Sequence, residues 1–247
     1  MSFEDIVRSH FPGSYEEDAF VKRSALTLLQ DHGFSADNTL ACVGVCRDEL
    51  CRPLVDKIRH MWGETYDLSG LAGMPWLGRT GYASLRGHAP MIRNRLRYIF
   101  FVFTHIGIGP AGELGVCARR GRPGLVPTCG ELTLILEDLR NGKDTVPFDT
   151  EDIERCLVRE RLKREPDINE ATGLIELTKI AHRASLADLQ NLAGTVFNPE
   201  TDDSAILSGI QIHGPDGRGY VWPGSISEVL QRLTIRYLER LPVFSAS

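Results

Sequence analysis

Two short apolar runs limit how this chain can fold. Residues 39–45 and 98–104 are almost entirely apolar and lack the alternation of a strand with one exposed face. Such runs are typical of strands buried on both faces, as in a parallel sheet. Helical spacing precedes the first run over 15–31 and follows it over 47–62. This order predicts an α/β fold with a mainly parallel central sheet flanked by helices, and a helical N-terminal segment.

The rest of the chain is consistent with this outline. Residues 63–90 are rich in glycine, and Trp76 and Tyr82 within them predict an ordered connection. Elsewhere, amphipathic spacing predicts helices, and a Gly-Pro-Asp-Gly turn between apolar runs predicts a strand pair. The predicted helices are 131–139, 150–165, 182–193 and 225–241, and the predicted strands are 205–213 and 219–222.

Composition excludes several classes of protein. Lys and Arg total 28 against 33 Asp and Glu, so a net charge of −5 gives no general attraction to nucleic acid or anionic membranes. The apolar runs are far shorter than the roughly 18 residues of a membrane span. The acidic start lacks the basic and apolar regions of a signal peptide. We therefore expect no nucleic-acid or membrane partner and a cytoplasmic location, with removal of an organelle-targeting segment as the alternative.

Cysteine usage points away from a disulfide framework. Six cysteines without a secretory signal, and without a Cys-x-x-Cys pair, predict neither a disulfide scaffold nor a zinc knuckle. A dispersed metal site, one reactive thiol and plain core packing remain open. The cysteines are Cys42, Cys46, Cys51, Cys117, Cys129 and Cys156.

Three potential metal ligands fall at equivalent places in the predicted fold. Cys46 and His105 each end a buried strand, and Cys129 stands at the start of a predicted helix. Ligands bind beyond the carboxyl ends of parallel strands, and a helix N-terminus favours the thiolate that a metal requires. Two thiolates and one imidazole make a zinc shell whose fourth position is open. The alternative is two core cysteines and an unrelated histidine.

An acidic residue accompanies the first of these ligands. Asp48 lies two residues after Cys46, so it can reach the fourth position, either to accept a hydrogen bond from bound water or to bind the metal. Arg47 is adjacent and can hold this carboxylate as an ion pair. Acidic residues in a first helical turn are also common without a site. The one basic cluster, Arg119, Arg120 and Arg122, is interpreted as a solvated loop, with attraction of the product anion and RNA binding as the alternatives.

These residues resemble the zinc site of the β-carbonic anhydrases. That family carries Cys-x-Asp-x-Arg and a later His-x-x-Cys, and here Cys46, Asp48, His105 and Cys129 stand in a similar order. Two departures are visible. Leu50 occupies the position of the arginine, and His105 lies 24 residues before Cys129.

A longer pattern is similar to the limiting-CO2-inducible protein B/C family, also described as Cys-Gly-His-rich, theta-class carbonic anhydrases. The likeness covers about residues 10–235, and its specific motifs lie within 43–132. They are Val-Gly-Val-Cys-Arg-Asp-Glu at 43–49, Gly-Arg-Thr-Gly-Tyr at 78–82 with His-Ala-Pro at 88–90, His-Ile-Gly at 105–107, and Thr-Cys-Gly-Glu-Leu at 128–132. The resemblance implies one β-carbonic anhydrase-like domain over 1–247, made of an N-terminal segment 1–35, a zinc-site core 36–145 and a C-terminal part 146–247.

The resemblance also implies a reaction. Cys46, His105 and Cys129 would hold Zn²⁺, and a zinc-bound hydroxide would convert CO2 to bicarbonate reversibly. Asp48 would orient the hydroxide, and Arg47 would fix Asp48, with Arg52 as the other candidate partner.

Further expectations follow from the same resemblance. Tyr82 and His88 are candidates for the substrate pocket or a proton shuttle, although such residues also pack loops. A homodimer is expected, with 15–31 or 225–241 packing between subunits. Three functions stay open. The protein is a zinc-dependent carbonic anhydrase, or a catalytically silent zinc-binding relative that acts as a regulatory or binding subunit. The third is a thiol-dependent redox enzyme, which would need Cys46 free of metal.

Overall fold

The computed structural model describes residues 2–142, 147–230 and 234–238 of the chain. Seven α-helices and ten strands lie in this part, numbered here in chain order. The helices are α1 (Phe3–His10), α2 (Glu17–His32), α3 (Arg52–Trp62), α4 (Gly78–Leu85), α5 (Gly130–Arg140), α6 (Ile153–Leu162) and α7 (Leu174–Val196). The strands are β1 (Tyr15–Glu16), β2 (Leu40–Gly44), β3 (Thr65–Asp67), β4 (Met91–Ile92), β5 (Arg95–Gly107), β6 (Val116–Ala118), β7 (Leu125–Pro127), β8 (Asp202–His213), β9 (Gly219–Leu230) and β10 (Thr234–Leu238).

A central sheet flanked by helices organises the chain, which confirms the predicted α/β fold. Its main path runs β1-β9-β8-β5-β2-β3. The four strands from β8 to β3 are parallel, whereas β9, β1, β10 and β4 add antiparallel pairs around them. The mainly parallel character is therefore a property of the centre of the sheet, where the two apolar runs lie.

The two central strands are buried on both faces. Phe101 and Phe103 of β5 pack into one apolar cluster with α2, α3 and α5. Phe100 and Val102 of the same strand pack into a second cluster with Tyr82 of α4. Because successive strand side chains point to opposite faces, a strand covered on both faces carries an uninterrupted apolar sequence. Within the described ranges, no helix combines the length and the apolar character that a membrane span needs.

Three predicted segments differ from the structure. The helix predicted over 47–62 is a 3-10 turn at Glu49–Cys51 followed by α3, which has Pro53 in its first turn. The connection predicted over 63–90 contains β3 and the eight-residue helix α4, which is too short for its periodicity to stand out.

The helix predicted over 225–241 is wrong where the chain is described. Residues up to Leu230 continue β9, and β10 follows, while 231–233 and 239–247 lie outside the described residues. β9 runs antiparallel to β8 with Ala205 opposite Glu228. Pairing satisfies the backbone groups of β8, a gain that helical periodicity in a single segment does not reveal.

The buried histidine His182 should make the stability of the fold depend on pH. His182 lies on α7 against the Trp222 ring, and its Nε2 has no hydrogen-bond partner among the described residues. Burial, assisted by the charge of Arg183, lowers the pKa of His182 to about 4. The unfolded chain, with an ordinary histidine pKa near 6.5, binds this proton first as the pH falls. The free energy of unfolding should therefore decrease by about 2 kcal/mol from this residue between about pH 7.5 and pH 5.

Urea denaturation of His182→Gln at the two pH values tests this expectation. The variant should lose less stability than the wild type over that interval, by about 2 kcal/mol. His60→Gln, which changes an exposed histidine of α3, is the matched control and should behave as the wild type. Parallel losses in wild type and His182→Gln would contradict the expectation.

Candidate metal centre

The structure brings Cys46, His105 and Cys129 together beyond the carboxyl ends of β2 and β5. One donor atom from each residue lies within 4.8 Å of those of the other two. All three side chains are buried. Cys46 follows β2, His105 lies near the end of β5, and Cys129 is the residue before the first turn of α5. Three residues that are distant in sequence therefore form one compact Cys/His cluster that could hold a metal ion.

Close backbone packing sets the position of the Cys129 segment. Cys129 has a left-handed backbone conformation with φ 56°, which is uncommon for a residue other than glycine. The backbone N–H of Thr128 donates to the carbonyl of Gly115 at 2.8 Å. A Cβ on Gly107 would lie 2.2 Å from Thr128 Oγ1, so only glycine at this position of β5 allows the close approach.

The protonation of the two thiols in the cluster favours binding of a cation. A hydrogen bond from Cys129, together with the neighbouring His105, outweighs burial and lowers the pKa of Cys46 to about 4. The same contact with Cys46, reinforced by burial, raises the pKa of Cys129 well above its ordinary value. Cys46 is thus the first thiolate, and a metal would displace the remaining proton from Cys129.

The imidazole of His105 also fits a metal ligand. Its Nε2 is buried and has no hydrogen-bond partner among the described residues. An unsatisfied buried nitrogen is costly unless it binds something. Two thiolates and one imidazole are the donor set of a tetrahedral site with three protein ligands. The residues present therefore fit a soft or borderline divalent metal.

His213, at the end of β8, orients the imidazole of His105. His213 Nε2 lies 3.0 Å from His105 Nδ1, and the two rings meet edge to face. Burial, assisted by the charge of His105, lowers the pKa of His213 well below its ordinary value, so its ring is neutral. A neutral His213 can accept the Nδ1 proton of His105, which leaves Nε2 as the donor to a metal. The Cys51 thiol lies 3.9 Å from the same His213 nitrogen, and burial keeps its pKa high.

The sequence pattern assigns His213 no role beyond the end of the predicted strand 205–213. No cysteine stands close to it in the sequence, and the nearest carboxylate, Asp216, belongs to the predicted turn, so local spacing offers no signal. Its proximity to His105 follows from the order of the strands, because His213 ends the strand that lies beside β5 in the sheet.

Removal of the His213 ring should weaken metal binding. For His213→Ala we expect the Zn²⁺ affinity, measured by competition with a chromogenic chelator, to fall by roughly 10–100-fold, because the tautomer and orientation of His105 are no longer set. Cys51→Ala removes the thiol grouped with the two histidines and keeps both imidazoles, and it should change the affinity by less than about threefold. Equal affinities for His213→Ala and wild type would show that His105 is oriented by other contacts.

Asp48 is held by Arg119, not by its neighbour Arg47. Arg119 binds the carboxylate through two parallel hydrogen bonds, 2.9 Å to Oδ1 and 2.6 Å to Oδ2. The backbone N–H of Leu50 donates to Oδ1 at 3.1 Å. Burial opposes ionisation of Asp48, but these hydrogen bonds outweigh it and lower its pKa to about 2. Asp48 is therefore a fixed carboxylate two residues from Cys46.

The expectation that Arg47 serves Asp48 is corrected by its own contacts. The guanidinium of Arg47 turns to Glu154 of α6, with Nε 3.1 Å from Oε2 and a second, short hydrogen bond to the other oxygen. Consecutive residues point in different directions, so adjacency in sequence did not bring Arg47 to Asp48. Arg52, the other candidate, begins α3 with an exposed side chain.

Arg119 belongs to the basic cluster that was interpreted as a solvated loop. It lies next to the end of β6, in the turn of the β6–β7 hairpin. This hairpin belongs to the connection between His105 and Cys129, so it lies at the same edge of the sheet as both. Its position within that connection was the available signal. The expectation of a solvated loop holds for Arg120 and Arg122, whose side chains are exposed.

Tyr82 and His88, the two residues predicted for the substrate pocket, make their described contacts away from the Cys/His cluster. Tyr82 is buried in the cluster around Phe100, and its hydroxyl donates to the carbonyl of Pro75 at 3.5 Å. His88 packs edge to face against Tyr66 with ring centres 5.3 Å apart. Among the described contacts, none joins either side chain to the Cys/His cluster or to Asp48.

Comparisons with known proteins agree on one family. The family model described as limiting CO2-inducible proteins B/C β-carbonic anhydrases matches residues 15–229. The crystal structure of limiting CO2-inducible protein LCIB is similar over 94% of this chain and 97% of that one, with 29% identity and a TM-score of 0.77. The homolog PtLCIB4 is similar over 97% and 100%, with 22% identity and a TM-score of 0.75, a likeness of fold. No curated protein sequence matches the chain significantly.

Proposed function

The chain belongs to the limiting CO2-inducible protein B/C family of β-carbonic anhydrases, and we propose that it is a zinc-dependent carbonic anhydrase that interconverts CO2 and bicarbonate. One observation carries the proposal. The sulfurs of Cys46 and Cys129 and a ring nitrogen of His105 lie within 4.8 Å of one another, and Arg119 holds both oxygens of Asp48, two residues after Cys46. Such a set offers three protein ligands for a metal with an open fourth position, and a carboxylate anchored in the segment that supplies one of the ligands.

Zinc is the metal proposed for this donor set. Cys46, Cys129 and His105 supply two thiolates and one imidazole, which Zn²⁺ accepts in tetrahedral geometry. When bound, Zn²⁺ lowers the pKa of water at the open position, so that a hydroxide nucleophile is available near neutral pH. His213 keeps Nε2 of His105 directed to the metal, because it engages Nδ1.

The role proposed for Asp48 is to orient the nucleophile. Its carboxylate accepts a hydrogen bond and so directs the lone pair on oxygen toward CO2. Arg119 keeps Asp48 ionised and prevents its rotation, since both oxygens are engaged. The side chain of Arg47 serves a different contact and has no part in this step.

The alternative function is a catalytically silent relative in which Asp48 itself takes the fourth position on the metal. Asp48 is close enough in sequence to Cys46 for this, but Arg119 holds both of its oxygens, and the carboxylate is not among the donor atoms that lie together in the Cys/His cluster. The bidentate contact therefore favours the active form.

Stopped-flow CO2 hydration, on protein whose zinc is quantified in the same sample, tests the proposal. We expect about one zinc per chain and catalysis in the wild type. Asp48→Ala should retain zinc and lose most of the catalysis, while Cys129→Ala should lose both. Stoichiometric zinc with an inert wild type between about pH 7 and pH 9 would favour the silent relative. Absence of zinc from the wild type would end the metal-site proposal.

We also propose that the protein is a homodimer. On α2, Leu26 and Leu29 have exposed fractions of 55% and 50%, so two leucine side chains about one helical turn apart are open on the surface of a single chain. The predicted interface segment 15–31 contains both residues. Light scattering at micromolar concentration should give twice the chain mass, and a monomeric mass would contradict the proposal.

A further inference from the structure

The chain turn at 70–74 is inserted tightly between the Cys46 segment and β5. Gly70 forms a parallel bridge with Cys46, and its N–H donates to the carbonyl of Val45 at 3.2 Å. A Cβ on Gly73 would lie 2.4 Å from the carbonyl oxygen of Phe103, so the turn touches the backbone of β5. Ala72 within it is fully buried and has a left-handed backbone conformation with φ 56°. Such a conformation persists only where the surroundings hold it.

One carboxylate joins this turn to the residue after Cys46. Glu154 Oε2 accepts the backbone N–H of Leu71 at 2.9 Å and Arg47 Nε at 3.1 Å. Its other oxygen accepts the second hydrogen bond from Arg47. Glu154 belongs to α6, so a helix distant in sequence connects the two backbone segments that meet at the Cys46–Gly70 bridge.

We propose that Glu154 is a positioning residue of the metal centre, which places the Cys46 thiolate by holding the Arg47 and Leu71 backbone segments together. The proposal rests on the metal-binding part of the proposed function and does not depend on catalysis. It gives Arg47 a structural role, the contact with Glu154, in place of the predicted role of holding Asp48. It also gives α6, which supplies no ligand, a part in the site through the contacts of Glu154 with Arg47 and Leu71.

The two contacts of Glu154 should depend on hydrogen bonding more than on charge. The side chain of Arg47 is 61% exposed, so the charge of the ion pair adds little to the hydrogen bonds that join Arg47 to Glu154. The N–H of Leu71 is a backbone donor in a constrained turn, and its loss of a partner frees the turn. An amide at position 154 retains one oxygen that can accept from both Leu71 and Arg47, as Oε2 does, whereas alanine retains none.

The test uses Glu154→Ala, Glu154→Gln and Glu160→Ala. Glu160 lies on the same helix and pairs only with Lys163 among the described residues, so its variant is the matched control. Two readouts report on the metal site itself. One is the rate of zinc release to a chelator, and the other is the thiolate-to-cobalt absorption of Co²⁺-loaded protein, which reports the geometry of the cysteine ligands.

For Glu154→Ala we expect zinc release about tenfold faster and an altered cobalt spectrum. Glu154→Gln should restore both readouts to within about threefold of wild type, and Glu160→Ala should leave them unchanged. If Glu154→Ala does not fold, Glu154→Asp takes its place, because its shorter side chain cannot span both contacts and should release zinc faster. Wild-type release rate and spectrum in the alanine variant, or in the aspartate variant where that replaces it, would overturn the positioning role. A wild type that binds no zinc would instead overturn the proposed function.

Discussion

Cys129→Ala is expected to reduce bound zinc from about one per chain to a trace. The substitution removes the thiol that converts the Cys46 and His105 pair into a three-ligand site. Two remaining protein donors do not hold Zn²⁺ against a chelator in the way that three buried donors do. CO2 hydration should disappear with the metal. Atomic absorption on dialysed protein measures the first effect, and stopped-flow measures the second.

Cys42→Ala is the matched control for this experiment. Cys42 is a fully buried cysteine on β2, close in sequence to Cys46, but it belongs to the apolar cluster on the other face of the sheet. Its loss should leave the zinc content unchanged. If Cys42→Ala lost zinc as completely as Cys129→Ala, the loss would reflect damage to the core. If Cys129→Ala retained one zinc per chain, the proposed ligand set would be wrong.

Arg119→Ala is expected to lower CO2 hydration by roughly 100-fold while zinc content stays the same. Arg119 touches none of the three metal donors in the described contacts, but it holds both oxygens of Asp48. Without it, Asp48 can rotate, or bind the metal, and the nucleophile loses its fixed acceptor. Arg119→Lys should recover little activity, because one ammonium group cannot reproduce two parallel hydrogen bonds. The measurement is kcat/KM by stopped-flow on zinc-quantified protein.

Arg122→Ala tests whether Arg119 acts through its contact with Asp48 or only through its positive charge. Arg122 is exposed in the same hairpin turn, so its removal changes the local charge by the same amount without touching Asp48. Its hydration rate should stay within about twofold of wild type. Equal losses in the two variants would mean that the basic turn attracts anions and that the contact with Asp48 is incidental. Full activity in Arg119→Ala would remove Arg119 from the mechanism.

Burial on both faces of a strand can be predicted from a single sequence. Residues 39–45 and 98–104 are apolar without interruption because two helical layers cover them, and the structure has β2 and β5 there. Because both strands are parallel and central, their carboxyl ends lie at the same edge of the sheet, and so do Cys46 and His105. The prediction that Cys46, His105 and Cys129 lie together rested on two strand ends, one helix start and the resemblance to the family.

The partner of Asp48 could not be predicted in this way. Arg47 is its neighbour in the sequence, whereas Arg119 is distant, and only the path of the β6–β7 hairpin brings Arg119 to it. His213 was missed for a similar reason, since its proximity to His105 depends on which strand lies beside β5. The local spacing of residues 225–241 predicts a helix. In the structure, residues up to Leu230 belong to β9 and pair with β8, so they lie in the sheet.

The amino-acid sequence by itself therefore determined the α/β fold, the family and the three residues that form the Cys/His cluster. The fold depends on burial patterns, which are local and periodic properties, whereas the family and the ligand set were indicated by the motifs within 43–132 that resemble the family. Tertiary structure alone decided that Arg119 holds Asp48, that Arg47 turns to Glu154, and that His213 orients His105. Each of these contacts joins segments distant in the chain, and the direction of a side chain depends on the backbone packed around it rather than on its place in the sequence.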